Sequence, residues 1–305
     1  MANSNIKEVH MKLIIERINE GRCVPFLGAA GNVECEKLGY KGLPLGTDIA
    51  TELVKQISFT GRDPKDLAKV SLEFEFCTDR SFLIKSLKTI LPDNECEASP
   101  LLKTIARIPF KLIITTNYDR LMERALEDEG REFRVVVQPT DGFDNTSGIQ
   151  KMLNELIEYE GRIIYKIHGT FNGSTRFFIG QMDENELDSL IVTEDDYIQF
   201  LMVMDKQEQK IGIPRQITSK LSYSTLLFLG YSLEDWDFRT IYKGLIESLP
   251  KQQARRSFAF QKKPSKFWVE FWKSKGVEIY DVDLYDFADQ LDKFWKKYGK
   301  ITEKC

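Results

Sequence analysis

The sequence predicts an α/β protein with a doubly wound, mostly parallel sheet. Short, continuous apolar runs recur along the 305 residues, and amphipathic stretches separate them. Continuous apolar runs indicate strands buried on both faces, and such strands alternating with helices form parallel sheets. Several of these runs stop at a glycine, an amide or a histidine, which marks strand ends.

The first third of the chain is predicted to contain a single strand. "CVPFLGA" (23–29) is predicted as a strand that enters a glycine-containing turn, and residues 45–57 as an amphipathic helix. Residues 64 to about 108 indicate two or three helices with no strand among them. We therefore expect a helical insertion over 60–110.

The middle of the chain alternates strands and helices. We expect strands at 111–117, 133–138 and 162–169, helices at 118–128 and 150–160, and a short hairpin strand at 175–180. "TEDDYIQFLMVMDK" (193–206) is predicted as a helix with Thr193 as N-cap and Asp196 at the capping-box position.

The last third continues the same alternation. The predicted helices are 213–222, 235–246, 264–274 and 284–297, and the predicted strands are 225–230, 256–261 and 276–282.

Composition excludes several classes of function. The net charge is -4 and the sequence pI is about 5.5, so the basic face typical of nucleic-acid-binding proteins is not expected. No apolar stretch approaches the roughly 20 residues that span a bilayer, and the first residues lack a signal-peptide pattern. We expect a cytoplasmic protein that binds neither membrane nor nucleic acid.

The cysteines and histidines do not predict a metal site. Structural zinc needs four close ligands, commonly presented as paired knuckles. The chain has two histidines and no CxxC pair, so we expect no zinc. Reduced, structural cysteines are the first interpretation and a catalytic thiol the alternative. The cysteines are Cys23, Cys35, Cys77, Cys96 and Cys305.

Two strand ends carry small and polar residues where ligands of parallel sheets bind. "GAAGN", from Gly28 to Asn32, would let the backbone approach a phosphate, although a tight turn explains it equally. "TNYD" places Thr116, Asn117 and Asp119 after the second strand. Asn and Asp are favoured helix caps, but one cap explains only one of these two residues.

Two later strand ends complete the pattern. His168 ends a predicted strand, where an imidazole is a usual general base, although a core histidine bonded to backbone is the alternative. Gly230, Tyr231 and Ser232 follow another strand, where Ser232 could bind a ligand, cap the next helix or do both.

In chain order, these motifs are "VPFLGAAGN", "TTNYDRLMERAL", "KIHG" and "LLFLGYSLEDWD". They resemble the sirtuin-like (SIR2) NAD-binding domain, and most of all the bacterial SIR2-like branch found in phage-defence proteins. The resemblance runs from about residue 22 to 283. It implies a Rossmann-like, sirtuin-type fold and a single SIR2-like domain over 1–305.

The resemblance also implies roles for the residues that match the motifs. Asn117 would orient the nicotinamide ribose and a water, Asp119 would hold its loop, and His168 would be the catalytic base. The remaining matches would bind NAD+ as substrate. They are Gly28, Ala29, Ala30, Gly31 and Asn32 at the pyrophosphate, Thr116 beside Asn117, Gly230, Tyr231 and Ser232 at the adenosine ribose and phosphates, and Asp281 and Val282 near the adenine.

The sequence departs from the family pattern in two places. Ala30 stands where the family has glycine, which adds a methyl group close to the expected phosphate. The four zinc cysteines of the deacylases are missing, and "LPLGTDI" (43–49) replaces their Pro-Asp-Phe-Arg. Lysine deacylation is therefore not expected.

The resemblance implies an NAD+ hydrolase that cleaves the nicotinamide–ribose bond, as a regulated, NAD-depleting effector of anti-phage defence acting by abortive infection. A homo-oligomer is expected, and a separately encoded HerA-type ATPase is a possible partner by family analogy. The helical segment 60–110 is the candidate lid or oligomer contact. The alternatives are a regulatory or structural subunit that binds NAD or ADP-ribose without catalysis and a subunit whose site binds nothing.

Overall fold

The structure, a computed structural model, describes residues 5–138, 143–144, 154–156, 159–171, 178–179, 190–205, 210–247 and 256–300. Eight strands form one sheet in the order β10-β9-β8-β1-β2-β5-β3-β6, and every neighbouring pair is parallel. The predicted doubly wound parallel sheet is confirmed. The strands are β1 (Cys23–Leu27), β2 (Leu112–Thr115), β3 (Phe133–Val137), β4 (Phe143–Asp144), β5 (Arg162–Lys166), β6 (Phe178–Ile179), β7 (Lys210–Ile211), β8 (Thr225–Leu229), β9 (Ser257–Gln261) and β10 (Val277–Asp281).

Helices flank the sheet. Strands β4 and β7 form a separate antiparallel pair. No helix within the described ranges is long and apolar enough to cross a membrane. The helices are α1 (Glu8–Asn19), α2 (Gly46–Val54), α3 (Leu67–Cys77), α4 (Arg80–Ile90), α5 (Pro100–Arg107), α6 (Leu121–Asp128), α7 (Glu194–Asp205), α8 (Arg215–Ser222), α9 (Trp236–Ile241), α10 (Lys266–Ser274) and α11 (Leu284–Tyr298).

Two apolar layers, one on each side of the sheet, form the core. Successive strand residues point to opposite faces. Leu27 accordingly packs in one layer and its neighbour Phe26 in the other, and Ile113 and Ile114 divide in the same way. The strands are buried on both faces, which is why their sequences are continuous apolar runs rather than alternating ones.

Local features differ from the sequence-based expectation at several points. Helix α1 was not predicted. Helix α6 starts at Leu121 instead of 118, because the preceding residues form a turn. The short strand expected within 175–180 is present at Phe178–Ile179, but it pairs in parallel with β3 at the sheet edge and not in a hairpin. Of the predicted helix 150–160, residues 150–153 and 157–158 lie outside the described residues.

The capping box at the start of α7 is confirmed. The N–H of Asp196 donates to Thr193 Oγ1 at 3.1 Å, and the N–H of Thr193 donates to the Asp196 carboxylate at 2.9 Å. This carboxylate also accepts a hydrogen bond from Arg80, at the start of α4, at 2.9 Å. The contact ties the helical segment to α7.

The order of the strands brings the polar strand ends together. Strands β8, β1, β2 and β5 are consecutive neighbours at the centre of the sheet. The chain leaves β1 towards β2 on one side and later returns to β8 on the other. Such a reversal opens a crevice at the carboxyl ends of the strands.

Candidate functional site

A cavity of about 1070 Å³ lies beyond the carboxyl ends of the four central strands. Asn117 and His168 both line it, so the carboxamide and the imidazole predicted to act together face one space. Ten of the residues predicted for the site contribute to the lining: Ala29, Ala30, Asn32, Thr116, Asn117, Asp119, His168, Gly230, Tyr231 and Ser232.

The turns after β1 and β8 touch backbone to backbone. A Cβ on Gly28 would lie 2.5 Å from the Gly230 carbonyl oxygen, and one on Gly230 would lie 2.4 Å from the Gly31 nitrogen. Gly230 also has φ +85°, which favours glycine. Both glycines are therefore required for the two turns to meet.

Ala30, in the turn after β1, is held by the contact between the β1 and β8 turns. The N–H of Ala30 donates to the Gly230 carbonyl at 3.1 Å, and that of Gly31 to the Gly28 carbonyl at 3.0 Å. These two amides are engaged within the protein. The N–H of Ala29 is the first of the short helical turn, where no intrahelical acceptor exists, and Ala29 lines the cavity. Gly28 and Gly31 are not among the residues that line the cavity.

The turn after β2 divides its two polar residues between two tasks. Asn117 Nδ2 donates to the Gly28 carbonyl at 3.4 Å, which fixes the amide at the cavity wall. The Asp119 carboxylate accepts from the N–H of Leu121 at 2.9 Å and from Asn32 Nδ2 at 3.4 Å. Asp119 thereby bonds both to the start of α6 and to the turn after β1.

Thr116 and Tyr231 join the β2 and β8 turns. Their hydroxyls lie 2.9 Å apart, and the Tyr231 hydroxyl donates to the Leu27 carbonyl at 2.8 Å. Burial raises the pKa of Tyr231, so the phenol stays protonated and keeps donating. Three strand ends are thereby locked together beneath the cavity.

His168 is buried and neutral. Its ring meets those of Tyr197 and Phe200 edge to face, with centroids 5.2 and 6.2 Å away. Burial lowers the pKa of His168 to about 3. Its Nε2 is buried and has no hydrogen-bond partner among the described residues. A buried nitrogen without a hydrogen-bond partner costs free energy unless a ligand supplies the missing hydrogen bond.

A buried ion pair under the site was not predicted from the sequence. Lys166 Nζ donates to the Asp119 carbonyl at 2.5 Å and to Glu123 Oε1 at 3.0 Å, and both side chains are buried. The "K" of "YKIHG" and the "E" of "LMER" stood inside apolar runs, which was the available signal.

The environment of Asp119 shifts its titration. Burial raises the pKa of Asp119 to about 6, and the Lys166 ammonium acts in the opposite direction. Above that pH the carboxylate is charged and keeps both of its donors. Below it, the carboxyl group loses part of its capacity to accept hydrogen bonds.

The opposite wall of the cavity comes from the helical side of the chain. The lining includes residues 43–47 with Ile49, before and within α2, and residues 62–67, before α3. Arg62 and Lys65 place two cations on this wall, beside the carboxylates of Asp63 and Asp66. Residues 62–67, part of the predicted insertion 60–110, therefore line the site.

Asp281 and Val282, predicted near the adenine, do not line the cavity. Asp281 accepts from the N–H of Lys263 at 2.8 Å, and Val282 is buried in the core. Strand β10 is two positions away from β8 in the sheet, which explains the separation. The described residues contain no group of three or more His, Cys, Asp or Glu placed to hold a metal ion.

Comparison with known proteins gives a consistent family. A family model described as a SIR2-like domain matches residues 111–280, more than half of the chain. The chain is 26% identical over 287 residues to "NAD(+) hydrolase ThsA" of Cytobacillus dafuensis, covering 93% of this chain and 50% of that protein. It is 22% identical over 312 residues to the protein of the same name from Bacillus cereus strain MSX-D12, covering 99% of this chain and 57% of that protein.

A third relative carries a different name. "Defense-associated sirtuin 2" of Bacillus subtilis is 25% identical over 194 residues, which is 63% of this chain and 16% of that protein. The chain thus spans about half the length of the two hydrolases and a smaller part of the third relative.

Proposed function

The chain belongs to the SIR2-like domain family, and from this membership and the geometry of the cavity we propose that it hydrolyses NAD+ at the nicotinamide–ribose bond. The observation that carries the proposal is that Asn117 and His168 face one cavity at the carboxyl ends of adjacent strands. The names of the two hydrolase relatives support the same reaction.

The reaction needs a site that holds a ribose and limits water. The C1′–N bond breaks and its electron pair leaves with neutral nicotinamide. Water then adds to C1′ and releases a proton. The transition state resembles an oxocarbenium ion, as in other glycoside hydrolyses. A water-excluding cavity with fixed dipoles suits that charge.

His168 contributes to this reaction as a neutral imidazole. A pKa of about 3 keeps the ring uncharged at neutral pH, so it does not repel the cationic pyridinium. Such a ring is a weak base in the resting site, and its main role is to accept a hydrogen bond from a ribose hydroxyl or the water. As the proton of the water is released, its transfer to the ring becomes more favourable.

Asn117 contributes orientation. Its Nδ2 is held by the Gly28 carbonyl, and its backbone N–H donates to Thr115 Oγ1 at 3.0 Å. The Oδ1 atom is then directed to accept from the attacking water or a ribose hydroxyl. Correct placement of reacting groups within about 0.5 Å accounts for a large share of many rate enhancements.

Nicotinamide release from NAD+ tests the proposal. We expect His168→Ala and Asn117→Ala to lower the rate by roughly 10²–10⁴-fold. His10→Ala is the matched control, since His10 is also buried but bonds to Tyr280 and Arg256 outside the cavity. A folded His168→Ala protein with wild-type activity would remove the assignment.

Binding of NAD or ADP-ribose without cleavage is the second candidate function. Two observations favour it: His168 is a weak base, and the Ala30 amide is occupied by Gly230. In that case NAD+ raises the melting temperature while no nicotinamide is released. Both measurements on one sample separate the two functions.

We also propose a regulated, self-assembling effector that acts in the cytoplasm by abortive infection. Unregulated NAD+ cleavage would harm the cell that makes it. Phe76 and Phe82 leave 89% and 45% of their surface exposed on α3 and α4, which supports a contact surface on the helical side. Size-exclusion chromatography of the protein, alone and mixed with a separately encoded HerA-type ATPase, tests this. A monomer that is fully active under both conditions contradicts it.

A further inference from the structure

Asn32, in the turn after β1, carries a buried acceptor that the described part of the protein does not use. The residue lines the cavity with only 1% of its surface exposed. Its Oδ1 atom is buried and has no hydrogen-bond partner among the described residues. A buried acceptor left without a donor costs free energy. A ligand whose N–H or O–H group reaches Oδ1 removes that cost.

The neighbours of Asn32 set the orientation of its side-chain amide. Asn32 Nδ2 donates to Asp119 Oδ2 at 3.4 Å, and the Asn32 backbone carbonyl accepts from the N–H of Leu43 at 2.8 Å. An ionised carboxylate only accepts hydrogen bonds, so the atom that faces Asp119 is the amide nitrogen. Oδ1 is therefore the atom that remains for a ligand.

This acceptor lies near the groups proposed to act on the nicotinamide–ribose bond. Asp119, the partner of Asn32, belongs to the turn after β2 that also carries Asn117. Asn117 Nδ2 in turn donates to the carbonyl of Gly28, in the turn that carries Asn32. The two turns are thus bonded to each other twice, and both asparagines line the cavity. The ligand group that meets Asn32 belongs to the reacting end of NAD+.

The chemistry of NAD+ narrows the choice of this group. The sequence alone assigned Asn32 to the pyrophosphate, but an ionised pyrophosphate offers only acceptors and cannot complete Oδ1. The carboxamide of nicotinamide offers two N–H donors. A carboxylate in its place has none and would also meet the negative charge of Asp119. Lys166, whose ammonium bonds to the Asp119 carbonyl, does not line the cavity and so does not offer its charge to a ligand.

We propose that Asn32 Oδ1 accepts an N–H from the nicotinamide carboxamide and thereby selects NAD+ over deamido-NAD+, in which a carboxylate replaces the carboxamide. A site built to hydrogen-bond a substrate N–H rejects the analogue that lacks it, because the buried acceptor then stays unpaired. The nearby Asp119 carboxylate adds repulsion against the acid form. This inference rests on the proposed binding of NAD+ in the cavity and makes Asn32 a specificity-determining residue.

Calorimetric titration with NAD+ and deamido-NAD+ tests the proposal. The full chain carrying His168→Ala is used, so that binding is measured without consumption. We expect this protein to bind NAD+ at least about tenfold more tightly than deamido-NAD+. Adding Asn32→Leu, which keeps the volume and removes both polar atoms, should lower this preference about tenfold, mainly through weaker NAD+ binding. Asn32→Ala serves if the leucine variant does not fold.

Asn19→Leu is the matched control in the same background. It makes the same substitution at an asparagine whose side chain donates to the Tyr298 carbonyl and accepts from the N–H of Lys300. Asn19 does not line the cavity. The preference for NAD+ over deamido-NAD+ should therefore be unchanged in this variant.

Two results would overturn the proposal. One is equal affinity of the His168→Ala protein for the two dinucleotides. The other is an equal loss of affinity for both in the Asn32→Leu variant, which would show that Asn32 meets a group common to them, such as a ribose hydroxyl.

Nicotinamide release by the wild-type chain separates this inference from the proposed hydrolysis. Release without any preference between the dinucleotides overturns the role of Asn32 and leaves the hydrolysis intact. A preference for NAD+ without release supports the role of Asn32 and removes the hydrolysis. If neither dinucleotide binds, the role of Asn32 and the assignment of the cavity are both wrong.

Discussion

At the scale of single residues, the site depends on polar groups that the fold holds in an apolar setting. His168 is surrounded by aromatic rings, and Lys166 is completely buried against Glu123 and the Asp119 carbonyl. Burying such groups costs free energy unless hydrogen bonds compensate. The Lys166 ammonium has such hydrogen bonds, whereas His168 Nε2 has none among the described residues, which leaves the imidazole able to bind a ligand.

His168 predicts a pH dependence of folding. Its pKa falls from about 6.5 when unfolded to about 3 when folded, so the unfolded state binds the extra proton between these values. Stability is complete above about pH 6.5 and is lost as the pH falls. At pH 5 the loss is about 2 kcal/mol.

Urea unfolding of wild type and His168→Gln at pH 7.5 and pH 5 measures this contribution of His168 to the free energy of unfolding. We expect the stability of wild type to fall, relative to the variant, by that amount. The raised pKa of Asp119 makes the folded state more stable as the pH falls, which is the opposite dependence. Because Asp119 is present in both proteins, its contribution cancels in the difference between their stabilities. An equal stability difference at both pH values would show that the imidazole is not buried.

The Lys166–Glu123 pair predicts a separation of stability from activity. Lys166→Met leaves the Glu123 carboxylate and the Asp119 carbonyl without their donor, and we expect a loss of about 3–5 kcal/mol. Adding Glu123→Leu should restore most of the stability but not nicotinamide release, because the turn that carries Asn117 stays unsupported. Full recovery of both would show that the pair has no positioning role.

At the scale of elements, the strands could be predicted and several details around them could not. Strands buried on both faces leave a strong apolar signal, as in β2 and β5. Helix α1 was missed although its buried residues Met11, Ile14, Ile15 and Ile18 follow the spacing of an amphipathic helix. The sequence analysis placed Asp281 at the site, but β10, which ends at Asp281, lies two strands from β8. The order of strands in a sheet is set by tertiary contacts, so the sequence alone did not reveal this distance.

Because the β1 and β8 turns touch at Gly230, we expect substitution of this glycine to affect both stability and NAD+ binding. Gly230→Ala places a methyl group 2.4 Å from the Gly31 nitrogen, at φ +85°. We expect about 1–3 kcal/mol of destabilisation and weakened NAD+ binding. Gly130→Ala is the control, since it has φ +61° with nothing within 4 Å of the added Cβ, and it should cost strain alone.

Thermal unfolding and NAD+ titration of both variants measure this difference. Equal effects of Gly230→Ala and Gly130→Ala on NAD+ affinity would show that the two turns need not touch to form the site.

At the scale of the whole molecule, one continuous sheet carries all four polar strand ends, which supports the proposal of a single domain over 1–305. The wall formed by residues 43–47 and 62–67 encloses the cavity from the helical side. Ligand binding between these two parts should stabilise the entire fold, since the ligand binds only the folded state.

NAD+ should accordingly raise the melting temperature of the His168→Ala protein, which cannot consume it. At 100 times the dissociation constant the stabilisation is about 2.7 kcal/mol. Differential scanning fluorimetry across NAD+ concentrations measures it. A melting temperature that is constant up to millimolar NAD+ would contradict the assignment of the cavity.

A crystal structure with a non-cleavable carbocyclic NAD+ analogue tests the central claim most directly. The account predicts the nicotinamide-bearing ring between the Asn117 carboxamide and the His168 imidazole, each within hydrogen-bond distance of its hydroxyls. An analogue bound with that ring away from either side chain would contradict it.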